Sequence, residues 1–189
     1  MITTVASKPL NTRAKVLVLL LLASLCAMWI LSFNAYSRLP DEVPTHFGVS
    51  GKPDAYGTRS SFLVLPLIFS IAPVIILLFV RLRFTLINKY PFLINLPAFY
   101  IHLDKIPGHR RAIWVNRYFE LIAALGLCLT LYLILLLLGI YSGSSTGALP
   151  SWFPVAAFAL PVGLIVPFVY ALYRLSKSMQ TEISDGEYP

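Results

Sequence analysis

Four runs of almost pure hydrocarbon decide what this chain can become. They cover about Val16–Phe33, Phe62–Val80, Leu121–Ile140 and Trp152–Tyr173. Each is long enough to cross roughly 30 Å of hydrocarbon at 1.5 Å per residue. No charged residue interrupts any of them. A segment in lipid must satisfy its own backbone polar groups, so each run is expected as an α-helix. The composition agrees: 58 % of the 189 residues are hydrophobic and 12 % are charged, whereas soluble domains carry about 25 % charged residues. The expected fold class is all-α: an integral membrane four-helix bundle with an ordered outer loop and an interfacial amphipathic helix. Residues 1–189 read as a single membrane domain, with an outer motif loop at 34–61 and a cytoplasmic loop at 81–120.

The basic residues set the expected orientation. Lys8, Arg13 and Lys15 precede the first run, and Lys and Arg are dense between the second and third, from Arg81 to Arg117. Arg174 and Lys177 follow the fourth. The link "YSGSSTGALPS" carries no charge. The positive-inside rule then puts both termini and the second loop in the cytoplasm of a cell-membrane protein. This asymmetry accounts for the net charge of +7, and no nucleic-acid partner is inferred from it. The first run is longer than a usual signal core and no small-x-small site closes it, so it is expected as an uncleaved anchor.

The second loop is basic and aromatic at once. After Pro97, the apolar residues Phe99, Leu103 and Ile106 recur at spacings of four and three, with His102, Asp104 and Lys105 between them. That spacing predicts a short amphipathic helix with Pro97 in its first turn. Tyr100, Trp114 and Tyr118 read as an interfacial aromatic belt. Lys105, Arg110 and Arg111 are the basic residues expected to face lipid headgroups.

Chemistry at membrane depth is sparse. The run interiors offer Ser24, Ser70 and Thr130 and no ionisable group, which disfavours a proton-coupled carrier. No HExxH motif or paired intramembrane aspartates point to a protease. Arg117 and Glu120, three apart, are expected as a helix-surface ion pair. Cys26 and Cys128 lie inside apolar runs and read as buried free thiols. The histidines His46, His102 and His109 are scattered without ligand spacing. No catalytic residue, metal or cofactor is assigned.

The first loop, "LPDEVPTHFGVSGKPDAYG", is built of turn chemistry. Pro40 and Pro44 favour extended backbone at Leu39 and Val43. Gly51 suits a positive φ, and Pro53–Asp54 reads as a turn start. Leu39, Val43, Phe47, Val49 and Tyr56 are expected to pack beneath an ordered cap. The candidate binding residues are His46, Phe47, Asp54, Asp41 and Tyr56. His46 is expected to fix the loop or to contact a partner.

This stretch, followed by "SFLVLPLI", resembles the domain-of-unknown-function family 1648. The matching positions are Leu39, Pro40, Val43, Pro44, His46, Phe47, Gly51, Pro53, Asp54 and Gly57. The resemblance covers about the first 80 residues and implies a prokaryotic multi-pass membrane protein. Through its SdpI-type members it also implies a link to toxin immunity and to sequestering a regulator at the membrane. The further membrane half of those proteins has no counterpart in Phe84–Pro189. The expected function is therefore non-enzymatic binding of another membrane protein or an extracellular peptide, within a lipid bilayer, as an immunity, signalling or accessory component. A solute or ion transport component is one alternative, motivated by Pro66, Pro73, Pro154, Pro161 and Pro167. An outer-face metal-binding or hydrolytic module using His46 is the other.

Overall fold

The computed structural model describes residues 4–94 and 96–185. Helix α1 (Thr12–Arg38) leads through a two-stranded sheet, β1 (Glu42–Phe47) and β2 (Pro53–Thr58), to α2 (Val64–Lys89). The short α3 (Pro97–Ile101) follows, then α4 (Gly108–Thr146) and α5 (Phe153–Ser184). All four long helices are long and apolar enough to cross a membrane. The all-α membrane architecture expected from hydropathy is the one observed, with the small β-hairpin added to it.

Local sequence explains where the helices stop. The Asn11 side chain accepts from Ala14 N at 2.7 Å and caps α1, satisfying a first-turn donor. Pro40 forces Leu39 into extended backbone, and α1 ends there. Gly147, at φ 80°, closes α4 by donating to Gly143 O, the left-handed cap that glycine adopts without a Cβ clash. Pro154 occupies the first turn of α5. The helices outrun their apolar stretches, because helical backbone continues into the polar zones where hydropathy falls. With 39 residues, α4 is about 58 Å long, roughly twice the hydrocarbon thickness.

The bundle is organised around α4, which packs against α1, α2 and α5. Gly126 permits a close approach: a Cβ there would lie 2.8 Å from Ile76 and 3.0 Å from Leu21. Small residues at such crossings let helix backbones approach in lipid, where no hydrophobic force drives helices together. By contrast, only 6 % of the most apolar stretch of α5 is buried inside the molecule, against 22 % for α1 and α4. α5 is therefore a peripheral helix, with side chains such as Phe158, Val162 and Val166 facing outward.

Two apolar cores sit at opposite ends. One joins Phe99, Ile106, Trp114, Val115 and Phe119 to Val80 and Leu86. The other joins Met28, Ala35, Leu39, Val43, Phe62 and Leu137 beneath the hairpin. The amphipathic segment after Pro97 is split into α3 and a 3-10 turn at Leu103–Lys105. Its apolar members Phe99 and Ile106 turn into the bundle core.

Several local expectations change. Cys26 and Cys128 are exposed on the helix surfaces, because a helix apolar all round carries no periodic signal for its buried face. Arg117 stacks over the Trp114 ring at 4.7 Å, while Glu120 accepts from Asn11 Nδ2 at 2.7 Å. That tertiary bond ties α1 to α4 where an intrahelical pair was expected.

One intramembrane polar contact explains a proline. Pro161 has no N–H for Ala157 O, four residues back. The Tyr132 hydroxyl of α4 donates to that carbonyl at 3.2 Å. A neighbouring helix thus satisfies the freed group, as the lipid environment requires.

Candidate functional site at the hairpin

The stretch read as a loop forms an antiparallel ribbon. Its ladder pairs Glu42 with Thr58, Val43 with Gly57 and Pro44 with Tyr56. Proline inside β1 lowers the strand signal in sequence, yet a two-stranded ribbon leaves every residue near an edge. Pro53–Asp54 begins β2 instead of a turn. The turn itself is made by Gly48–Lys52: Gly48 N donates to Lys52 O and Gly51 N to Gly48 O, both at 2.9 Å. Gly51 takes φ +74°, the expected positive value.

Irregular register creates the most distinctive contact. His46 faces Ala55 while Phe47 faces Pro53, which leaves Asp54 as an extra residue in β2. Such a bulge re-aims a side chain. The Asp54 carboxylate meets His46 Nδ1 at 2.5 Å. Gly48 leaves room for it: a Cβ at that position would lie 3.1 Å from Asp54 Oδ2. This contact takes up Nδ1 and leaves the other ring nitrogen, Nε2, pointing away from Asp54. Both side chains are exposed.

The base of the hairpin is fixed separately. Arg59 Nη2 meets Asp41 Oδ1 at 3.2 Å, and Nη1 donates to Leu39 O at 3.3 Å. Arg59 N donates to Asp41 O at 2.8 Å, and the guanidinium lies 5.1 Å over the Tyr36 ring. Asp41 is therefore drawn into the foundation of the cap, at the end of the ladder away from His46 and Asp54. Arg59 is not among the candidate binding residues read from the sequence. The ladder offers the signal that finds it. Partner numbers near the base sum to 100, as in 42 with 58 and 43 with 57, and 41 with 59 is the next step.

The cap is seated rather than floating. Leu39 and Val43 are buried, at 3 % and 1 % exposure. Leu149 N, in the α4–α5 connection, donates to Gly51 O at 2.8 Å. A Cβ at Gly143 would lie 3.1 Å from the Phe47 ring, so the glycine lets Phe47 approach α4 closely. Of the residues expected beneath the cap, Val49 and Tyr56 face solvent instead.

Between cap and bundle lies a cleft of about 500 Å³. Pro44, Thr45, His46 and Phe47 form its hairpin wall, and Phe62, Val64, Leu65, Ile140, Leu149 and Phe153 form its bundle wall, with Ser61 beside them. A mainly apolar recess with a few polar groups at its lip is the usual form of a ligand site. Among the described residues no group of three or more His, Cys, Asp or Glu side chains is placed to hold a metal ion.

The remaining candidates lie at the other end of the molecule. Arg110 grips Glu182 of α5, with Nε at 2.7 Å from Oε1, and Arg111 Nε donates to Ile106 O at 2.8 Å. Of the three basic residues expected to face headgroups, these two are engaged within the protein and Lys105 is exposed. His102 and His109 flank the same region, far along the bundle from His46. The polar centre of this end was also missed. Arg83 Nε donates to Asn116 Oδ1 at 2.7 Å, and Arg83 Nη2 to Lys8 O at 2.8 Å. Asn116 Nδ2 reaches Pro9 O at 2.9 Å, and Asn88 exchanges two bonds with the Val5 backbone. These bonds strap the N-terminal segment across α2 and α4.

Comparison with known proteins converges on the hairpin. The model of a domain of unknown function, DUF1648, matches residues 23–69, from the middle of α1 through the cap into the first turns of α2. No solved structure matches the chain. An uncharacterized protein of Archaeoglobus fulgidus is 42 % identical over 182 residues, covering 96 % of this chain and 99 % of its own length. With a relative that close over nearly every element, and the family's own region falling on the cap, the chain belongs to the DUF1648 family.

Proposed function

We propose that this protein is one membrane unit that binds an apolar segment of a partner protein or peptide in the cleft beneath its hairpin, without catalysing a reaction. The observation that carries this reading is the cleft itself. A prebuilt, mostly apolar recess is walled by the family's own motif, and His46 on its hairpin wall, held by Asp54, offers a hydrogen bond. Rigid seating supports it further, because a preformed site loses little ordering entropy on binding. The hairpin faces the outside of the cell membrane and the basic end faces the cytoplasm, in keeping with the distribution of Lys and Arg. An immunity or signalling role is the finer form of the same reading, supported by the family resemblance.

The test places a photo-crosslinking residue at Val64, in the cleft wall, or at Ile68, one turn further along α2 and exposed. In native membranes Val64 is expected to give a discrete protein adduct that His46→Ala weakens, and Ile68 to give lipid adducts. Identical adducts from both positions would refute the binding role. Orientation is checked with a background lacking Cys26 and Cys128: a cysteine at Ser50 is expected to react with an impermeant reagent added outside, and one at Lys89 to be protected. The reverse pattern would invert the assignment.

A further inference from the structure

At the end opposite the hairpin, two grooves lined by cationic side chains run beside α5. One, of about 680 Å³, lies between α4 and the last turns of α5. The other, of about 700 Å³, lies between α1 and α5 over a floor of α4. They share Arg117, Arg174 and Ser178, so they are two parts of one depression. Cations from three helices converge on its walls: Arg13 from α1, Arg117 from α4, and Arg174 and Lys177 from α5. The positive-inside rule asks for charge near span ends. It does not ask for convergence on one concave surface.

Three acids line the depression, and the exposed Asp185 stands at the C-terminal end of the first groove. Glu120 accepts from Asn11 and Glu182 is held by Arg110. The Arg117 guanidinium sits over the Trp114 ring at 4.7 Å. Arg174 lies 6.0 Å from the Tyr170 ring centre and donates to its hydroxyl at 3.3 Å. Aromatic stacking positions a guanidinium while leaving N–H donors on its edge, the geometry that recognises phosphate oxygens.

The second groove also has an apolar side. Leu121, Ala171 and Leu175 continue its wall toward the hydrocarbon. α1 and α5 both pack on α4 and make little contact with each other, so the groove opens sideways between them. A cationic end that runs into a lateral apolar gap matches one kind of ligand.

We propose that this depression binds an anionic phospholipid. Its phosphate sits among Arg117, Arg174, Lys177 and Arg13, and its acyl chains lie in the gap between α1 and α5. Basic pockets between membrane helices take acidic headgroups in this way. The assignment does not depend on the function of the hairpin.

The test uses the purified protein in neutral detergent. Dioleoylphosphatidylglycerol, dioleoylphosphatidylcholine and glycerol 3-phosphate are titrated in turn, and bound species are counted by native mass spectrometry. The anionic lipid is expected to bind about tenfold or more tightly than the zwitterionic one, as several converging charges imply. Arg117→Gln/Arg174→Gln/Lys177→Gln is expected to abolish that preference. Arg81→Gln/Lys89→Gln/Lys105→Gln removes the same charge from exposed positions outside both grooves and is expected to retain it. Equal loss in both variants would reduce the effect to general surface charge and overturn the site. Displacement of the lipid by an equal concentration of glycerol 3-phosphate would assign the cations to free phosphate and overturn the lipid. Should the triple variant fail to fold, Lys177→Gln alone decides. Its side chain is exposed, and a roughly fivefold loss of preference is expected from one charge; no change would refute the proposal.

Discussion

The two ends of this bundle are held by different physics. The hairpin end is fixed by backbone turns, one arginine clamp and a buried apolar seat, and it encloses a mainly apolar cleft. The basic end is fixed by side-chain hydrogen bonds onto a strapped N-terminal segment, and it opens into charged grooves. Local chain geometry builds the first, so its features lie close together in sequence: Gly51, Asp54 and Arg59 fall within nine residues. Long-range contact builds the second, with partners such as Asn116 and Pro9 separated by 107 positions. One end can therefore be perturbed through backbone conformation, and the other through removal of a single polar side chain.

The largest effect is expected from Asn116→Leu at the basic end. It removes the acceptor for Arg83 and the donor to Pro9, leaving a partly buried cation short of a partner. A loss of about 1.5–3 kcal/mol in detergent is expected, the range for hydrogen bonds to charged groups. Protease access to the N-terminal segment should rise with it. A loss confined to a few tenths would mean that the strap is decorative and the two ends are held alike.

Gly51→Val tests the hairpin end by the backbone route. A β-branched residue at φ +74° is strained by about 1–2 kcal/mol. The substitution is expected to loosen the Leu149–Gly51 bond and to raise cysteine reactivity at Ser50, with the basic end unchanged. If it also released the N-terminal segment, the ends would be coupled and the contrast would fail.

Between the two ends, Tyr132→Phe removes the donor to the carbonyl freed by Pro161. About 0.6 kcal/mol is expected, the average for a side-chain hydrogen bond within a membrane bundle. A smaller change would show that the freed carbonyl finds another partner.

The smallest effect at neutral pH is expected from Tyr100→Phe. The Tyr100 hydroxyl is buried, and no described residue hydrogen-bonds to it. Desolvation, with the neighbouring Tyr118 adding to it, pushes its pKa up to about 12. The folded state therefore holds this proton more tightly than the unfolded chain does. Its contribution to stability is complete below pH 10 and is lost as pH rises from 10 through about 12. Tyr100→Phe should leave neutral stability nearly unchanged and flatten the alkaline decline, read as a melting temperature against pH. An unchanged alkaline slope would remove this residue from the account of the basic end.

Legibility followed range. Gly51 and Pro40 were readable because each acts through its own backbone or its neighbour's, whereas the turn start expected at Pro53–Asp54 falls instead on Gly48–Lys52. The strands were not, since Pro44 and the bulge at Asp54 disguise the alternation. Asp54 was picked from the motif, but only the irregular register shows why it meets His46. Asp41 was grouped with that pair on proximity in sequence, whereas the ladder carries it to the far end with Arg59.

By itself the sequence determined that this chain forms four helices long and apolar enough to cross a membrane, and that one inter-helix stretch is ordered. Hydrocarbon length, proline geometry and glycine conformation are local properties, and they act in any context. Only the tertiary structure decided that α4 is the central helix and α5 the peripheral one. It alone brought Arg13, Arg117, Arg174 and Lys177 to one depression and set Tyr132 against the Ala157 carbonyl that Pro161 leaves without a partner. The reason is that lipid solvates every face of an apolar helix equally. No periodicity then records which face meets which neighbour, and close approach at small residues together with a few long-range polar bonds makes the choice.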